Sequence, residues 1–124
     1  MTARLLPPCP SRPNCVCSDS DPDDSHHVAH LALAMPAAEA WDLIRRTIED
    51  QPRVRIVEQT GGYLHAEYRS RLFRFVDDLE LQLRADQRII AVRSASRLGY
   101  SDFGVNRRRV ETLRAGLRHR GVTR

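Results

Sequence analysis

Two runs of residues that alternate between apolar and polar, DDLELQLR and IIAVRSASR, constrain the fold of this chain more than any other feature. Alternation with a period of two indicates β-strands with one buried face, and the polar residues 85–88 between the runs predict a turn. If Arg84 pairs with Ile89, four cross-strand pairs share the inward face: Leu83 with Ile90, Leu81 with Val92, Leu79 with Ser94, and Asp77 with Ser96. The apolar pairs mark this face as buried.

The preceding segment, YLHAEYRS, predicts a further antiparallel strand. With a turn at Arg71-Leu72, it would place Leu64 opposite Leu79, Ala66 opposite Asp77 and Tyr68 opposite Phe75 on the inward face. Tyr63 would then meet Glu80, and His65 would meet Asp78, on the outward face. Both hairpins agree on which face of the sheet is buried.

The remaining segments predict a strand at residues 26–34, another strand at RVRIVEQ, and two helices. The first helix begins at Pro36 and ends near Asp50, and the closing helix VNRRRVETLRAGLRHR carries an apolar stripe of Val110, Leu113 and Leu117. We therefore predict an α+β fold with about five antiparallel strands and two helices, in the order β-α-β-β-β-β-α.

The length of 124 residues fits one domain with a modest core. We expect an irregular arm rich in cysteine and proline at residues 1–25, the α+β domain at residues 26–120, and a short tail at residues 121–124. No apolar run approaches the roughly 18 residues needed to span a bilayer, and the start lacks the apolar region of a signal peptide. We therefore predict no membrane span and a cytoplasmic location.

Positive charge is concentrated at the end of the chain. Residues 105–124 carry seven arginines and one acid, for a net charge of +6, whereas the whole chain carries +4. Aromatic residues are few, and no motif interleaves them with the arginines as in nucleic-acid-binding modules. This pattern indicates a basic closing helix and argues against nucleic acid as the partner.

Three segments carry a resemblance to a known family: CPSRPNCV from Cys9, YLHAEYRSRLFRFVDDLE from Tyr63, and VRSASRLGYSDFGVNRRRVE from Val92. From Cys9 to about Leu117 the chain closely resembles the uncharacterised family catalogued as domain of unknown function 1499, which implies kinship without an established activity, substrate or cofactor. The chain departs from the family pattern at Cys17, where serine is usual, and we expect no leader or membrane anchor of the kind found on many relatives. The order of elements, with AMPAAEAWDLI, also resembles a shortened helix-grip fold, which implies a curved sheet that holds a C-terminal helix around a ligand cavity.

The polar end of the inward face is the first candidate site. The predicted ligand-binding residues are Asp77, Ser94, Ser96, Tyr100, Asn106 and Arg107. Free N–H groups at the start of the closing helix, together with Arg107, would favour an anion such as a carboxylate or phosphate. The alternative is structural, with Asp77 paired to Arg107 and with Ser101 or Asp102 capping the helix.

A polar strip on the outward face is the second candidate, which we predict as a partner surface formed by His65, Asp78, Glu80, Arg93 and Arg97. His65 and Asp78 could transfer protons if they lay in a cleft. The alternative is a solvated face with surface ion pairs, as is common in antiparallel sheets.

The third candidate comprises Cys9, Cys15 and Cys17, with His26 and His27 nearby. Cysteine and histidine bind zinc or cuprous copper, although the spacing matches no standard zinc motif. In an oxidising compartment Cys9 would form a disulfide with Cys15 or Cys17, whereas in the cytoplasm all three would be free thiols. We rank a structural thiol or disulfide above a metal site, and a metal site above redox chemistry.

These observations lead to one functional hypothesis and two alternatives. We expect a non-enzymatic binding module for a small anionic ligand or, through its arginine-rich surfaces, for a protein partner. The alternatives are a small enzyme that uses His65 and Asp78, or Asp77, for proton transfer, and a thiol-dependent metal-binding protein. No catalytic motif is present in the sequence, and no cofactor is indicated.

Overall fold

The computed structural model describes residues 5–71 and 75–124 and shows two α-helices and six β-strands in them. In chain order the elements are β1 (Cys15–Cys17), β2 (Leu31–Ala32), α1 (Ala37–Glu49), β3 (Val54–Gln59), β4 (Tyr63–Arg69), β5 (Val76–Arg84), β6 (Ile89–Ser96) and α2 (Val105–His119). The strands form one antiparallel sheet in the order β1-β6-β5-β4-β3, and β2 also pairs with β6. The predicted α+β class is confirmed.

The hairpin of β5 and β6 has the predicted register along its whole length, from Asp77 opposite Ser96 to Arg84 opposite Ile89. A short 3-10 turn connects the strands and ends at Arg88, whose φ of 55° lies in the left-handed region. Because side chains alternate in direction along a strand, Asp77 faces inward with the leucines of β5, whereas its neighbour Asp78 faces outward.

The register between β4 and β5 differs from our prediction by two residues. Opposite pairs are Leu64 with Leu81, Ala66 with Leu79, and Tyr68 with Asp77. The predicted turn at Arg71-Leu72 is therefore displaced along the chain, because Arg69 pairs with Val76 and the Ser70 N–H donates to the Phe75 carbonyl at 2.8 Å. Residues 72–74 of the connection lie outside the described residues. A shift by two residues keeps every side chain on the same face, so the inward face is still the predicted one.

The N-terminal segment joins the sheet, although we expected an irregular arm there. Cys15–Cys17 pairs with β6 beside β2, and the Ser96 N–H donates to the Asn14 carbonyl at 2.9 Å. The strand predicted at residues 26–34 is reduced to the two residues of β2. The end of the chain also contacts the fold, since Val122 is fully buried and its carbonyl accepts from the Ala34 N–H at 2.9 Å.

Both helices pack on the inward face of the sheet. Buried residues of α1 include Ile44 and Ile48, and those of α2 include Val110 and Leu117. They join the inward residues of the strands in one core, namely Leu64, Ala66, Leu79, Leu81, Ile90 and Val92. Within the part of the chain that the structure describes, neither helix is long and apolar enough to cross a membrane.

Candidate functional site

The polar end of the inward face holds a compact set of hydrogen-bonded side chains, the inner polar cluster, which comprises Asp77, Ser94, Ser96, Asn106 and Arg109. Asn106 is fully buried at its centre. Asn106 Oδ1 accepts from Ser94 Oγ and from the Arg109 guanidinium, both at 2.7 Å, and Asn106 Nδ2 donates to Ser96 Oγ at 2.9 Å. Both ends of the amide are therefore occupied, and Asn106 ties α2 to β6.

Arg109 neutralises Asp77 in this cluster. Arg109 Nη2 lies 2.8 Å from Asp77 Oδ2, and the two side chains are only 17% and 12% exposed. The guanidinium carbon of Arg109 also lies 4.6 Å from the centroid of the Tyr68 ring, which adds a cation–π attraction. Tyr68 lies opposite Asp77 in the sheet, so the register of β4 and β5 brings the three groups together.

Arg107, the residue that we predicted to pair with Asp77, points in another direction. Its guanidinium donates to the Ser25 carbonyl at 2.7 Å and to the His27 carbonyl at 3.0 Å. Helical geometry explains the difference, because residues three apart share a face whereas adjacent residues do not. Arg109, three residues after Asn106, therefore reaches the cluster, and the predicted pairing of Asp77 with Arg107 is wrong.

The loop before α2 contributes Asp102 to this region rather than Tyr100. Tyr100 is 70% exposed and takes no part in the hydrogen bonds described for the cluster. Asp102 accepts from the N–H groups of Gly104 and Asn106 at 2.8 and 3.1 Å, and from Asn106 Nδ2 at 2.8 Å. Burial raises the pKa of Asp102, but these hydrogen bonds outweigh it and hold the pKa below its ordinary value. A carboxylate of the chain itself thus occupies the helix start at which we predicted an anion.

A cleft of about 500 Å³, here called the helix cleft, opens between the two helices beside the inner polar cluster. Its lining residues are Thr47, Gln51, Tyr68, Val105, Arg108, Arg109, Thr112, Leu113 and Gly116. Arg107 lines a separate cavity of about 210 Å³ against the N-terminal segment. Among the cavities described for residues 5–71 and 75–124, Asp77 and Arg107 do not line a common one.

The lining of the helix cleft is positively charged. Arg108 is exposed at its edge and donates to the Phe103 carbonyl at 3.1 Å. Burial raises the pKa of Tyr68 to about 12, so the hydroxyl stays protonated at neutral pH. The nine lining residues include no Asp, Glu, His or Cys. The cleft therefore offers hydrogen-bond donors and no group that titrates near neutral pH.

The polar strip on the outward face, here called the outer strip, comprises His65, Asp78, Glu80, Arg93 and Arg97. It forms the ion pairs that we predicted for this face. Arg97 donates to both oxygens of Asp78 at 2.8 Å and to Glu67 at 2.6 Å. Tyr63 donates to Glu80 at 2.6 Å, and Arg93 lies 3.3 Å from the same carboxylate. The pairs of Arg97 are solvated, since its side chain is 46% exposed, and contribute little to stability, whereas the side chains of Arg93 and Glu80 are only 15% and 14% exposed. The role of this strip as a partner surface stays a prediction.

His65 and Asp78 make the contact that we considered for proton transfer, with 2.7 Å between Nε2 and Oδ1. Burial raises the pKa of Asp78, but hydrogen bonds from Arg97 and His65 lower it by more, so the carboxylate stays charged near neutral pH. The cavities described above are lined by residues other than His65. Neither member of the pair therefore lines a described cavity in which a substrate would bind.

Cys9 and Cys15 form a disulfide, which is one of the two pairings that we considered. Cys17 is a free, buried thiol, and burial raises its pKa. Two of the three predicted metal ligands thus have no free thiolate in this form, and the described residues hold no group of three His, Cys, Asp or Glu that could bind a metal ion. The disulfide instead anchors the segment in which Leu6 packs on Cys17 and Ala91.

A larger cavity, of about 900 Å³, lies between this N-terminal segment and the outward face. Its lining includes the carboxylates of Asp19, Glu58 and Glu80, which disfavour an anion. The charge of the helix cleft suits the anionic ligand that we predicted better than this acidic lining does.

Sequence reasoning missed Arg109, Tyr68 and Asn14. Arg109 lies one helical turn after Asn106, so helical spacing could have identified it. Tyr68 was placed on the inward face, but the predicted register paired it with Phe75 instead of Asp77. Asn14 donates to the Gly99 carbonyl at 2.9 Å and precedes a three-residue strand that is too short to show periodicity.

The fold and the helix cleft define a small α+β domain in which two helices and an antiparallel sheet enclose a basic cleft. The model of the family described as "Protein of unknown function (DUF1499)" matches residues 5–117, and the chain belongs to this family. The resemblance noted from Cys9 to about Leu117 is therefore confirmed. Neither a curated protein nor a solved structure matches the chain.

Proposed function

We propose that this protein is a non-enzymatic binding module that holds a small organic anion in the helix cleft. The volume of the cleft, about 500 Å³, carries the proposal, because ligand pockets typically measure about 300 to 1,000 Å³. This position replaces the one between Asp77 and Arg107 that we expected from the sequence. It lies at the same junction of the sheet and the closing helix, at which the helix-grip resemblance also implies a cavity.

The lining of the cleft supports a particular class of ligand. Arg108 and Arg109 supply guanidinium donors that match the geometry of a carboxylate. Because Arg109 is already paired with Asp77, Arg108 provides the uncompensated charge. Two threonines and a glutamine add neutral polar groups, and Val105 and Leu113 add apolar surface. A carboxylate attached to a short apolar body suits this combination.

The absence of titrating groups in this lining favours binding over catalysis. General acid–base catalysis at neutral pH needs a group whose pKa lies near the working pH, most often His, Asp or Glu. No such residue lines the helix cleft, and the pKa of Tyr68 is about 12. His65 and Asp78, the pair considered for an enzyme, lie on the opposite face of the sheet.

Binding of 8-anilinonaphthalene-1-sulfonate, an aromatic anion that fluoresces in apolar sites, tests the proposal. We expect the folded protein to bind the dye and octanoate to displace it, whereas octylamine should not. Gly116 offers a way to fill the cleft, because an added Cβ there meets no atom within 4 Å. Gly116→Phe should weaken dye binding by about tenfold or more. Ala115→Phe, at an exposed position of the same helix, is the matched control and should bind normally.

A second pair of variants tests the charge of the cleft. Arg108→Gln removes a guanidinium from the lining, whereas Arg118→Gln removes one that lies elsewhere on α2 and donates to the Arg124 carbonyl. Only Arg108→Gln should weaken the displacement by octanoate. Equal dye binding by the Gly116→Phe and Ala115→Phe proteins, or equal displacement by octanoate and octylamine, would contradict the proposal.

The disulfide of Cys9 and Cys15 bears on the cellular compartment of this protein. We predicted a cytoplasmic location, yet a disulfide such as that of Cys9 and Cys15 is more typical of oxidising compartments. Alkylation of free thiols after the protein has been taken from its source and unfolded without a reductant, followed by mass spectrometry, distinguishes the two. Modification of Cys17 alone indicates an oxidising compartment, and modification of all three cysteines indicates the cytoplasm.

A further inference from the structure

The loop between β6 and α2, residues 97–104, presents three large apolar side chains to solvent. Leu98 and Tyr100 are each 70% exposed, and Phe103 is 85% exposed. Val105, at the start of α2, is 40% exposed and extends this patch. Contiguous exposed apolar residues of this size are uncommon on soluble domains and mark sites of interaction.

The start of β5 adds to the same patch. The Arg97 N–H donates to the Val76 carbonyl, which continues the pairing of β5 and β6 into the loop. Phe75, which precedes β5 and is 52% exposed, therefore lies beside the 97–104 loop. Phe75 thus extends the apolar patch towards the start of β5.

Hydrogen bonds hold the 97–104 loop in a defined shape while its apolar side chains stay exposed. Asn14 Nδ2 donates to the Gly99 carbonyl at 2.9 Å, and the Asp102 N–H donates to the Pro13 carbonyl at 3.2 Å. Phe103 has a φ of 53°, in the left-handed region that a bulky residue rarely adopts. Backbone strain of this kind is concentrated at functional sites, and a fixed loop loses little entropy on docking.

Arginines accompany this apolar patch. Arg71, Arg107 and Arg108 are exposed at this end of the molecule. None of the three has a carboxylate partner in the ion pairs formed between described residues. Asp102, the acid of the loop, is directed towards the N–H groups at the start of α2. The surface therefore combines apolar side chains with uncompensated positive charge.

We propose that the 97–104 loop docks this domain on the surface of an anionic lipid bilayer. Leu98, Tyr100 and Phe103 enter the headgroup region, and Arg107 and Arg108 face the lipid phosphates. The cavities described above are lined by other residues, so these three side chains project from the surface. A deformable bilayer accepts projecting side chains directly, whereas a protein partner would have to supply a complementary pocket. The inference does not depend on a ligand in the helix cleft.

Sedimentation of the intact chain with lipid vesicles tests this docking. We expect the protein to sediment with vesicles of phosphatidylglycerol and phosphatidylcholine, and much less with vesicles of phosphatidylcholine alone. Binding should weaken when the salt concentration is raised from about 0.1 M to about 0.5 M, because salt screens the attraction between arginine and phosphate. Absence of sedimentation with the anionic vesicles overturns the proposal and leaves a protein partner as the explanation of the patch.

Three variants test whether the loop carries the binding. Leu98→Ser removes one apolar side chain, and Phe103→Asn removes another with a residue that tolerates the left-handed backbone. Each should weaken binding to the anionic vesicles by about tenfold. Leu5→Ser is the matched control, because Leu5 is 66% exposed and lies near Arg84, at the opposite end of the sheet. Thermal unfolding confirms that each variant is folded; equal binding by folded Leu98→Ser and Leu5→Ser proteins overturns the proposal.

Discussion

Asp77 and Asp78 are neighbours in β5, yet they lie on opposite faces of the sheet and hold their charges in different ways. Asp77 faces inward and lies 2.8 Å from Arg109, whose side chain is 17% exposed. Asp78 faces outward and lies 2.8 Å from Arg97, whose side chain is 46% exposed. Equal distances do not give equal energies here, because water solvates the outer pair whereas the inner carboxylate depends on its partner.

The two networks around these aspartates consequently have different roles. In the inner polar cluster, Asn106 and Ser94 are fully buried, and their side chains are hydrogen-bonded to each other. Loss of one member would leave the remaining groups without a hydrogen-bond partner, which destabilises the fold. The inner polar cluster therefore holds α2 on the sheet and so sets one wall of the helix cleft. The pair of Asp78 and Arg97 in the outer strip has water as an alternative partner, since the Arg97 side chain is 46% exposed, and can change with little effect on the fold.

Removal of Arg109 should have the largest effect on stability and is the strongest test of this comparison. Arg109→Met keeps much of the side-chain volume but leaves Asp77 without its cation on the inward face. We expect a loss of about 3 kcal/mol in the free energy of unfolding, measured with urea. A double variant that also carries Asp77→Asn should recover a large part of this loss. A loss below about 1 kcal/mol would show that the pair of Asp77 and Arg109 contributes no more to stability than an ordinary surface ion pair.

Removal of Arg97 should have a smaller effect, because Asp78 keeps its contacts with water and with His65. We expect Arg97→Gln to reduce the free energy of unfolding by at most about 1 kcal/mol. The same urea titration measures it beside Arg109→Met. Similar losses for the two variants would show that the outward pair is not merely a solvated surface pair, and would contradict the comparison.

The pH dependence of the outer pair should be the smallest effect. Burial alone would raise the pKa of Asp78, but the hydrogen bonds from Arg97 and His65 bring it below its ordinary value. A carboxylate with a lowered pKa in the folded state stabilises the fold above its unfolded pKa of about 3.9, and the contribution is lost as the pH falls through the folded value. The free energy of unfolding should therefore be higher for the natural sequence than for Asp78→Asn at about pH 6, and the gap should narrow by about pH 2.5. A gap that is constant over this range would contradict the prediction.

The faces of Asp77 and Asp78 could be predicted from the sequence, whereas the register of β4 could not. Strict alternation assigns each residue of β5 to a face, and the short turn at residues 85–88 leaves one register for β5 and β6. The connection after β4 has no residues of a defined hairpin turn, such as Asn-Gly. A shift by two residues leaves the alternation unchanged, so the hydrophobic pattern alone cannot detect it.

The partner of Asp77 follows from helical spacing only once the rotation of α2 about its axis is known. Three consecutive arginines follow Asn106, and the rotation of α2 about its axis decides which of them faces the sheet. That rotation is set by the packing of Val110 and Leu117 in the core, which is a tertiary effect. Similarly, three cysteines allow more than one disulfide, and the sequence alone does not show that Cys9 bonds to Cys15.

The position of β6 between β5 and the N-terminal strands affects the order in which the strands of the sheet can pair during synthesis. Both β1 and β2 pair with β6, although they are synthesised before it and three other strands lie between them along the chain. A chain emerging from a ribosome therefore has no partner for its N-terminal strands until Ile89–Ser96 has appeared. Cys9 and Cys15 lie only six residues apart and can meet much earlier, because a short loop loses less entropy on closure. The strands β1 and β2 are thus synthesised before the other strands of the sheet and are among the last to find their place in it.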